Sequence, residues 1–352
     1  MKFDFVIGNP GYQESQENTS DKPIYNFFMD EAFKIGDKVE MITPARFLFD
    51  AGKTPKEWNK KMLSDEHFKV LFYDANPNGV FKNTEIKGGV AITYRDKEKY
   101  FGSIDVFTAY KELNSILHKV KSNATHFISD IVYAPESYKF TDAMYRDHPE
   151  IYDMTTTFNG KVVPLISKGH DYDLTSNIFD KLVGVVFFDK KPKDSHSYVQ
   201  VFGRLNNARA VYYIDARYIA KHENLEFYKL LFPKANGSGQ FGEPMSVPAI
   251  GYPGMGHTQT FLSMGTFKTE DEAKALMKYV QCKFARALLG ILKVTQDNKK
   301  SVWKYVPLQD FSSASDINWA VPIKAIDQQL YKKYGLSDEE INFIETHVKE
   351  MA

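Results

Sequence analysis

The chain has 352 residues, which is enough for about two domains at roughly 150 residues each. Hydrophobic residues make up 43% of the chain and charged residues 26%, values that exclude a disordered, collagen-like or coiled-coil protein. Basic and acidic residues both number 45, so the formal net charge is zero.

Targeting and redox features of the sequence are few. It has no uninterrupted apolar run of about 18 residues, and its N-terminus lacks a basic region followed by an apolar run. We therefore expect a cytoplasmic protein with no membrane partner. The single cysteine, Cys282, excludes a disulfide framework and a cysteine-rich metal site. Its place on an apolar helical face predicts a buried, unreactive thiol.

Short apolar runs alternate with helical patterns over residues 1–120. This alternation indicates βαβ units with a largely parallel sheet, in the order expected for half of a doubly wound α/β domain. The runs predict strands at 3–8, 38–43, 68–73 and 88–94, and helices at 23–36 and 55–63.

Beyond residue 125 the pattern changes to short aromatic and β-branched runs broken by glycine, proline and asparagine. This pattern is typical of an α+β region that ends in helices. A capping box at Thr269 and Glu272 predicts the start of one long helix with an apolar face that reaches Ile291, and Ser337 with Glu340 predicts the start of a second. The runs predict strands at 183–188, 198–202, 211–214, 251–256 and 258–264.

Positive charge is concentrated in one region. The window 181–304 contains 19 basic and 10 acidic residues. Such an excess suits a module that contacts phosphates, because neutralised phosphates release condensed counterions. An ordinary solvated surface explains the excess equally well when it is taken alone.

The most informative motif is Asn9-Pro10-Gly11-Tyr12, which follows the predicted strand 3–8. A loop at the carboxyl end of a parallel strand lies where open α/β sheets bind ligands. The Asn9 amide oxygen and the Pro10 carbonyl can accept hydrogen bonds from an exocyclic amino group, and Tyr12 offers a flat face for a planar base. Taken by itself, the tetrapeptide is more often a turn with a surface tyrosine.

This motif resembles the Asn-Pro-Pro-Tyr motif of the adenine-N6 DNA methyltransferases of type II restriction–modification systems. Gly11 replaces the second proline, which loosens the loop but removes neither the acceptors nor the ring. Further segments look like later parts of these enzymes in the same order, and together they are spread over most of the chain: residues 39–48, 70–74, 80–90, 294–308 and 336–341.

The resemblance implies a role for each matching residue of the pocket. Asn9 and the Pro10 carbonyl would hold N6 of the target adenine, and Tyr12 would stack on the flipped base. Phe81 matches the second aromatic wall of the pocket in the family. Asp74 and Arg46 are structural candidates more than functional ones.

The resemblance also implies S-adenosylmethionine as cofactor, yet the family's motifs for binding it precede this loop, and only eight residues precede Asn9 here. We therefore assign no cofactor-binding residues. The one Gly-x-Gly-x-x-Gly match, residues 237–242, is followed by Glu243, Pro244 and Met245 rather than by a helical pattern. A dinucleotide fingerprint needs that helix, so we interpret the match as a loop of the recognition region.

Candidate DNA-binding residues lie in the basic window. Arginine and asparagine can read guanine and adenine edges, whereas lysine more often contacts phosphate. Each residue could equally serve solubility alone. The strongest candidates are Arg204, Asn206, Arg209, Lys299, Lys300 and Lys304, with Asn207, Arg217, Lys293 and Asn298 as further ones. The nine histidines show no metal-ligand spacing, and we predict no metal site.

The fold expected from these features is α/β, a partial Rossmann-like methyltransferase sheet in residues 1–120, followed by an α+β target-recognition domain in residues 121–352. The expected activity is site-specific adenine-N6 methylation of double-stranded DNA. We expect it to be incomplete without an N-terminal half, and a separately encoded half or a gene truncated upstream would explain the sequence equally well. The expected protein partner is such a separate half or a restriction subunit. The alternative is a non-catalytic DNA-binding specificity subunit or a remnant of such a system. Methylation of RNA or of a protein glutamine is a third option, because similar loops hold other amino groups.

Overall fold

The structure is a computed structural model that describes residues 2–16, 19–50, 52–75, 86, 89–158, 160–293 and 295–351. The chain divides into two compact units, Met1–Asn114 (unit 1) and Ser115–Ala352 (unit 2). The division falls within the helix α3, Lys111–Asn123. In the part of the chain that is described, no helix combines the length and the apolar character needed to cross a membrane.

Unit 1 begins with strands and helices close to the predicted positions. Its strands are β1 Phe3–Gly8, β2 Gln13–Gln16, β3 Thr19–Pro23, β4 Gly36–Pro44, β5 Phe68–Asp74 and β6 Val90–Asp96. Its helices before α3 are α1 Tyr25–Ile35 and α2 Lys56–Ser64, with a short 3-10 helix at Arg46–Phe49.

The main sheet of unit 1 has the strand order β1-β4-β6-β5. β1 is parallel to β4, whereas β6 is antiparallel to both β4 and β5. It follows that β1, β4 and β5 run in one direction and that their carboxyl ends meet at one edge of the sheet. The prediction of a largely parallel sheet is therefore wrong for the pairings of β6.

The antiparallel return of β6 depends on a close backbone approach. Val90 pairs with Asp74, so β6 starts beside the residue at which β5 ends. Gly89 has a φ of +81°, and a Cβ there would lie 2.3 Å from the Asp74 carbonyl oxygen. Only glycine fits this position. Apolar alternation in the sequence predicts a strand here but not its direction.

The core of unit 1 lies between the sheet and its helices. α1 buries Tyr25, Met29 and Ala32, which recur at the spacing of one helical face. The rings of Phe47 and Trp58 pack edge to face with their centroids 5.2 Å apart. Aromatic pairs of this kind stabilise a core beyond the area that they bury.

One side of strand β1 carries apolar side chains that no described residue covers. Among the described residues it pairs only with β4, and Phe5 and Ile7 are 61% and 77% exposed. Phe27 and Phe28 of α1 are also large, exposed apolar side chains. Unit 1 therefore exposes large apolar side chains both on β1 and on α1.

Unit 2 contains the remaining strands and helices. The strands are β7 Val132–Tyr133, β8 Thr155–Phe158, β9 Lys161–Pro164, β10 Tyr198–Leu205, β11 Ala208–Asp215, β12 Tyr228–Pro233, β13 Ala249–Gly251, β14 Met255–His257 and β15 Phe261–Phe267. The helices that follow α3 are α4 Asp142–Asp147, α5 Ile178–Leu182, α6 Glu270–Gln281, α7 Lys283–Leu289, α8 Ile323–Lys333 and α9 Asp338–His347.

Among the described residues of unit 2, these strands form three sheets. The orders are β11-β10-β14, β13-β12-β15-β7 and the pair β8-β9. The predicted strand at 183–188 is wrong, because these residues form a turn with an isolated bridge between Val183 and Phe187. Gly184 has a φ of +82° in this turn, a conformation that interrupts an extended strand.

The helical end of unit 2 confirms both predicted capping boxes. The Thr269 amide donates to the Glu272 carboxylate at 2.9 Å, and the Ser337 amide donates to the Glu340 carboxylate at 2.7 Å. The predicted single helix 270–291 is wrong, however, because Cys282 is extended and separates α6 from α7. Cys282 is buried, as predicted, and burial raises the pKa of its thiol well above the ordinary value.

Candidate functional site

The Asn9-Pro10 loop leaves β1 at the edge of the sheet where the three co-directional strands end. Gly8, the last residue of β1, pairs with Met41 of the parallel strand β4. A Cβ on Gly8 would lie 3.0 Å from the Met41 sulfur, so glycine leaves room for the Met41 side chain at the start of the loop. The candidate acceptor groups therefore lie at the edge of the sheet where the carboxyl ends of its co-directional strands meet, as predicted.

An open pocket of about 310 Å³ lies beside this loop. Asn9 is exposed and Pro10 is half-buried. Asn9 and Pro10, the two residues predicted to accept from an amino group, therefore line one depression together with α1. The described residues that line it are Gly8, Asn9, Pro10, Phe28, Glu31, Ala32, Ile35 and Met41.

Tyr12 lies at the base of the β2–β3 hairpin and does not line this pocket. Its carbonyl accepts a hydrogen bond from the Ile24 amide at 3.2 Å, and the next residue, Gln13, pairs with Pro23. The side chain is half-buried, and burial raises the pKa of its phenol. The structure therefore brings Asn9 and Pro10 together around a pocket and places Tyr12 at the adjoining hairpin.

The remaining residues predicted for the pocket have different positions. Phe81 lies outside the described residues. Asp74 and Val90, which lie on either side of its segment, pair at the carboxyl end of β5. Arg46 begins the 3-10 helix after β4, and its side chain packs beside Gly52. Neither Asp74 nor Arg46 lines the pocket.

In unit 2, four of the predicted DNA-binding residues lie at one hairpin. Arg204 near the end of β10 pairs directly with Arg209 of β11. Asn206 and Asn207 form the turn with φ values of +49° and +61°. Two consecutive positive φ values are typical of a type I′ turn, which favours asparagine and matches the twist of the two strands.

A cleft of about 440 Å³ opens beside this hairpin. The Arg204 guanidinium donates to the Asn207 carbonyl at 2.5 Å, and the Arg209 guanidinium donates to the Val247 carbonyl at 2.6 Å. None of the described residues that line the cleft is acidic. They are Ser176, Arg204, Asn207, Arg209, Pro233, Lys234, Ala235, Ser246, Gln259, Thr260 and Phe261.

Sequence reasoning did not identify Lys234 as part of this site. Its position follows from a contact between distant segments, in which Ala235 pairs with Asp297. Beside this bridge, the backbone N–H of Asn298 donates to the Lys234 carbonyl at 2.8 Å. No local sequence signal predicts this pairing.

The predicted lysines follow Asp297 and Asn298 directly in the sequence. Lys299, Lys300 and Lys304 are exposed on and beside a 3-10 helix at Lys300–Trp303. Trp303 anchors this helix, because it is fully buried and its indole N–H donates to the Asn298 carbonyl at 3.2 Å. These three lysines therefore follow the segment that pairs with the wall of the cleft.

Of three further candidates, two are buried and one is an exposed residue in an ion pair. The Lys293 ammonium is buried and donates to the Glu243 carboxylate at 3.2 Å. Asn298 is fully buried, and its amide donates to the Pro233 carbonyl at 2.9 Å. Arg217 pairs with Asp215 at 2.8 Å. The prediction that Lys293 and Asn298 contact DNA is therefore wrong, because long-range packing buries both side chains.

The glycine-rich loop 237–242 surrounds an internal carboxylate. The amides of Ser238 and Gly239 each donate to Glu243 at 2.8 Å. Burial opposes ionisation of Glu243, but these hydrogen bonds outweigh it and lower its pKa to about 2. The next element after β12 is the strand β13 rather than a helix. The glycines thus serve a loop conformation in which the backbone donors bind Glu243.

No group of three histidine, cysteine, aspartate or glutamate side chains within the described ranges is arranged to hold a metal ion.

Comparisons with known proteins support the resemblance that the motif indicates. Residues 1–81 match the family model of the Eco57I restriction-modification methylase. Over 95 residues the chain is 33% identical to an uncharacterized adenine-specific methylase of Mycoplasma pneumoniae, an alignment that covers 26% of this chain and 22% of that protein. The chain thus spans about a fifth of the length of this curated relative. The predicted resemblance to restriction–modification methylases is confirmed for the N-terminal segment.

A solved structure also aligns with the chain. It is reported as the crystal structure of the type IIG restriction endonuclease BpuSI, and the alignment covers 94% of this chain and 50% of that one. The identity is 8% and the TM-score 0.32. A TM-score of this size does not establish a shared fold.

Proposed function

We propose that this chain carries the base pocket and the DNA-recognition region of an adenine-N6 DNA methyltransferase from a restriction–modification system. One observation carries the proposal: Asn9 and Pro10 line an open pocket at the carboxyl end of β1. They do so within the segment that matches restriction–modification methylases. Residues 1–120 would supply part of the catalytic domain, and residues 121–352 would recognise the target.

The chemistry of the loop suits an amino group attached to a planar base. The Asn9 side-chain oxygen and the Pro10 carbonyl can both accept hydrogen bonds from N6 of adenine. These acceptors stabilise the positive charge that develops on the nitrogen as it attacks a methyl group. Holding the nitrogen in place also removes much of the entropic barrier.

An adenine enters such a pocket only if it leaves the duplex. Tyr12 would provide the stacking face for the flipped base, with Phe81 as the opposite wall. In the structure Tyr12 lies at the β2–β3 hairpin beside the pocket rather than within it. Stacking therefore requires either that the Tyr12 ring moves towards the pocket or that the base extends from the pocket to the hairpin.

S-adenosylmethionine would supply the methyl group when it is bound. The one glycine pattern in the sequence that resembles a nucleotide-binding loop does not fit it, because Glu243 already occupies the backbone donors of that loop. We assign the cofactor to no residue of this chain.

Double-stranded DNA is the proposed substrate, and unit 2 is the proposed reader. Arg204, Asn206 and Arg209 are exposed at the β10–β11 hairpin. Lys299, Lys300 and Lys304 are exposed on the segment that follows the Ala235–Asp297 bridge. Exposed cations of this kind contact phosphates and base edges of duplex DNA.

The test uses the gene in its own cell, where any partner is present. Genomic DNA from the native host and from an Asn9→Ala mutant is sequenced by a method that reads N6-methyladenine. We expect one methylated sequence motif to disappear in the mutant and to return with a wild-type copy. An unchanged pattern of adenine methylation would contradict the proposal.

The second candidate is a DNA-binding specificity subunit without catalysis. The cationic cleft of unit 2 favours it, because that cleft is built from residues 176–261 without any part of the Asn9 loop. A purified chain that binds duplex DNA while Asn9→Ala leaves the host methylation pattern intact would favour this candidate.

A further inference from the structure

The β10–β11 hairpin holds two arginines in an arrangement that is unfavourable without an anion. Arg204 and Arg209 are directly opposite each other, so both side chains lie on the same face of the hairpin. Like charges directly opposite on neighbouring strands destabilise the pair. The two asparagines at positive φ hold the turn, and with it the register that keeps the arginines opposed.

The surroundings of these arginines do not neutralise them. Each guanidinium is held by a backbone carbonyl, that of Asn207 or Val247. A third cation, Lys234, lines the same cleft, and its ammonium lies 3.8 Å from Glu136, a residue outside the lining. No acidic residue lines the cleft among those that the structure describes. The cleft is therefore cationic and has donors to spare, since a guanidinium carries five N–H groups.

The position of the guanidiniums favours an anion over a stacked base. Both are anchored to the protein backbone and form part of the cleft wall. Phe261, the one aromatic residue of the lining, is buried, and Arg209 lies over its ring at 6.0 Å. Phe261 therefore offers no free face on which a base could stack.

We infer that this cleft binds a backbone phosphate of duplex DNA between Arg204 and Arg209, with Lys234 as the third cation. The inference rests on the proposed function and deepens it, because it assigns these two arginines to positioning rather than to sequence readout. Lys234 and the cleft are not part of the site that the sequence predicts. Phosphate contacts fix the register of a protein on DNA but carry no sequence information.

The test measures the affinity of the purified chain for a pool of random-sequence duplexes as a function of salt. Each neutralised phosphate contributes about −0.9 to the slope of log affinity against log salt. We expect the double variant Arg204→Gln/Arg209→Gln to lower the magnitude of this slope by about 1. Arg146→Gln removes one positive charge from an exposed residue of α4 in the same unit and should leave the slope unchanged.

Specificity is measured in parallel by sequencing the duplexes that each protein selects from the pool. We expect the double variant to select the same sequences as the wild type, with affinity reduced by one common factor. Loss of sequence preference with an unchanged slope would show base readout and overturn the inference. An unchanged slope together with unchanged preference would also overturn it while leaving the proposed substrate intact.

Two further arms separate the sources of phosphate and test folding. Inorganic phosphate replaces chloride at equal ionic strength, and we expect it to compete with DNA for the wild type but not for the double variant. Equal affinity for duplex RNA, stabilisation by free phosphate without DNA binding, or no nucleic-acid binding at all would overturn the assignment to DNA. The double variant should unfold at the same temperature as the wild type or higher, because it removes a repulsive pair.

Discussion

The carboxylate of Asp327 accepts the backbone N–H of Phe284 at 2.9 Å. It also accepts the N–H of Lys283 at 3.1 Å, so a residue of α8 caps the first turn of α7. Free N–H groups at a helix start need such acceptors. This contact accounts for the break after α6, because it stabilises a new helix start immediately after Cys282.

The first prediction concerns the pH dependence of this cap. Burial outweighs the two hydrogen bonds and raises the pKa of Asp327 from 3.8 to about 6. Because the folded chain binds this proton more tightly than the unfolded chain, protonated Asp327 contributes its full stabilisation at pH values below the unfolded pKa of 3.8. This stabilisation is lost as the pH rises from about 4 to about 6. With about 1.4 kcal/mol per pKa unit, the loss is on the order of 2 kcal/mol.

The measurement is urea unfolding at several pH values. Asp327→Asn cannot ionise, so its free energy of unfolding should change less than that of the wild type between pH 4 and pH 6. Asp327→Ala removes the acceptor as well and, relative to Asp327→Asn, should cost about 1–2 kcal/mol at all pH values. Parallel pH profiles for wild type and Asp327→Asn would contradict this prediction.

The second prediction concerns Lys229, which is fully buried in β12. Its ammonium donates to the carbonyls of Leu225 at 3.1 Å and Met255 at 2.7 Å. Burial lowers its pKa to about 7. The unfolded chain therefore binds more protons than the folded chain between pH 7 and about 10, so stability should rise with pH over this window.

Lys229→Met tests this directly, since it keeps the aliphatic stem without the titrating group. We expect thermal unfolding of the wild type to shift upward from pH 7 to pH 9, and that of the variant to shift less. Lys221→Met, at an exposed position, serves as the control. A variant that keeps the full pH-dependent shift would assign the effect to another group.

The third prediction separates the two roles in the base pocket, and it is measured on enzyme that methylates DNA when S-adenosylmethionine is supplied. Asn9→Ala removes an acceptor whose interaction grows in the transition state, so single-turnover methylation should slow with little change in DNA affinity. Because Asn9 is exposed, its stability should stay within about 0.5 kcal/mol of the wild type.

Tyr12→Ala should instead weaken base flipping, by about 1–3 kcal/mol if the ring stacks on the base. Fluorescence of 2-aminopurine at the target position reports flipping, and Phe81→Ala should behave in the same way. Because Tyr12 is half-buried, Tyr12→Phe is the control that keeps the ring. Wild-type methylation rates in Asn9→Ala would mean that the loop is only a turn.

The fourth prediction contrasts exposed and buried lysines of the same region. Charge reversal at the exposed pair Lys299 and Lys300 should lower the salt dependence of DNA binding while the fold keeps its stability. Lys293→Ala leaves the Glu243 carboxylate without its buried partner and should cost about 3–5 kcal/mol of stability. A Lys293 variant with wild-type unfolding and a lower salt slope would restore Lys293 as a DNA contact.

The fifth prediction concerns Gly11, where the related motif has proline. Its backbone is not at positive φ, and an added Cβ would lie 3.4 Å from the Ile24 side chain. We expect Gly11→Ala to fold normally and to gain about 0.4–1 kcal/mol, because alanine restricts the unfolded chain. Denaturant unfolding measures the change, and marked destabilisation would show that the loop needs glycine.

Local patterns predicted most of unit 1 because its elements are defined by short-range periodicity. β1 occurs at Phe3–Gly8 as predicted, and α1 and α2 begin within two residues of the predicted starts. Strand direction was not predictable in this way, since apolar alternation is the same for parallel and antiparallel neighbours. The position of β6 depends on Gly89, whose close approach to Asp74 becomes visible only in three dimensions.

In unit 2 the limits of prediction come from long-range contacts. The apolar face of α6 continues into α7, so no local signal marks the break that Asp327 stabilises from 44 residues away. Lys293 and Lys299 are both lysines in a basic segment, yet one is buried against Glu243 and the other is exposed. Residue type predicts a candidate contact, and only packing separates a contact from a structural ion pair.

The uncovered side of β1 has a consequence for how the chain behaves in a cell. A strand that exposes Phe3, Phe5 and Ile7 on one side presents a hydrophobic edge of the kind that promotes self-association. Hydrophobic segments of this type are also substrates for chaperones and proteases during synthesis. Overproduction of this chain should therefore favour inclusion bodies.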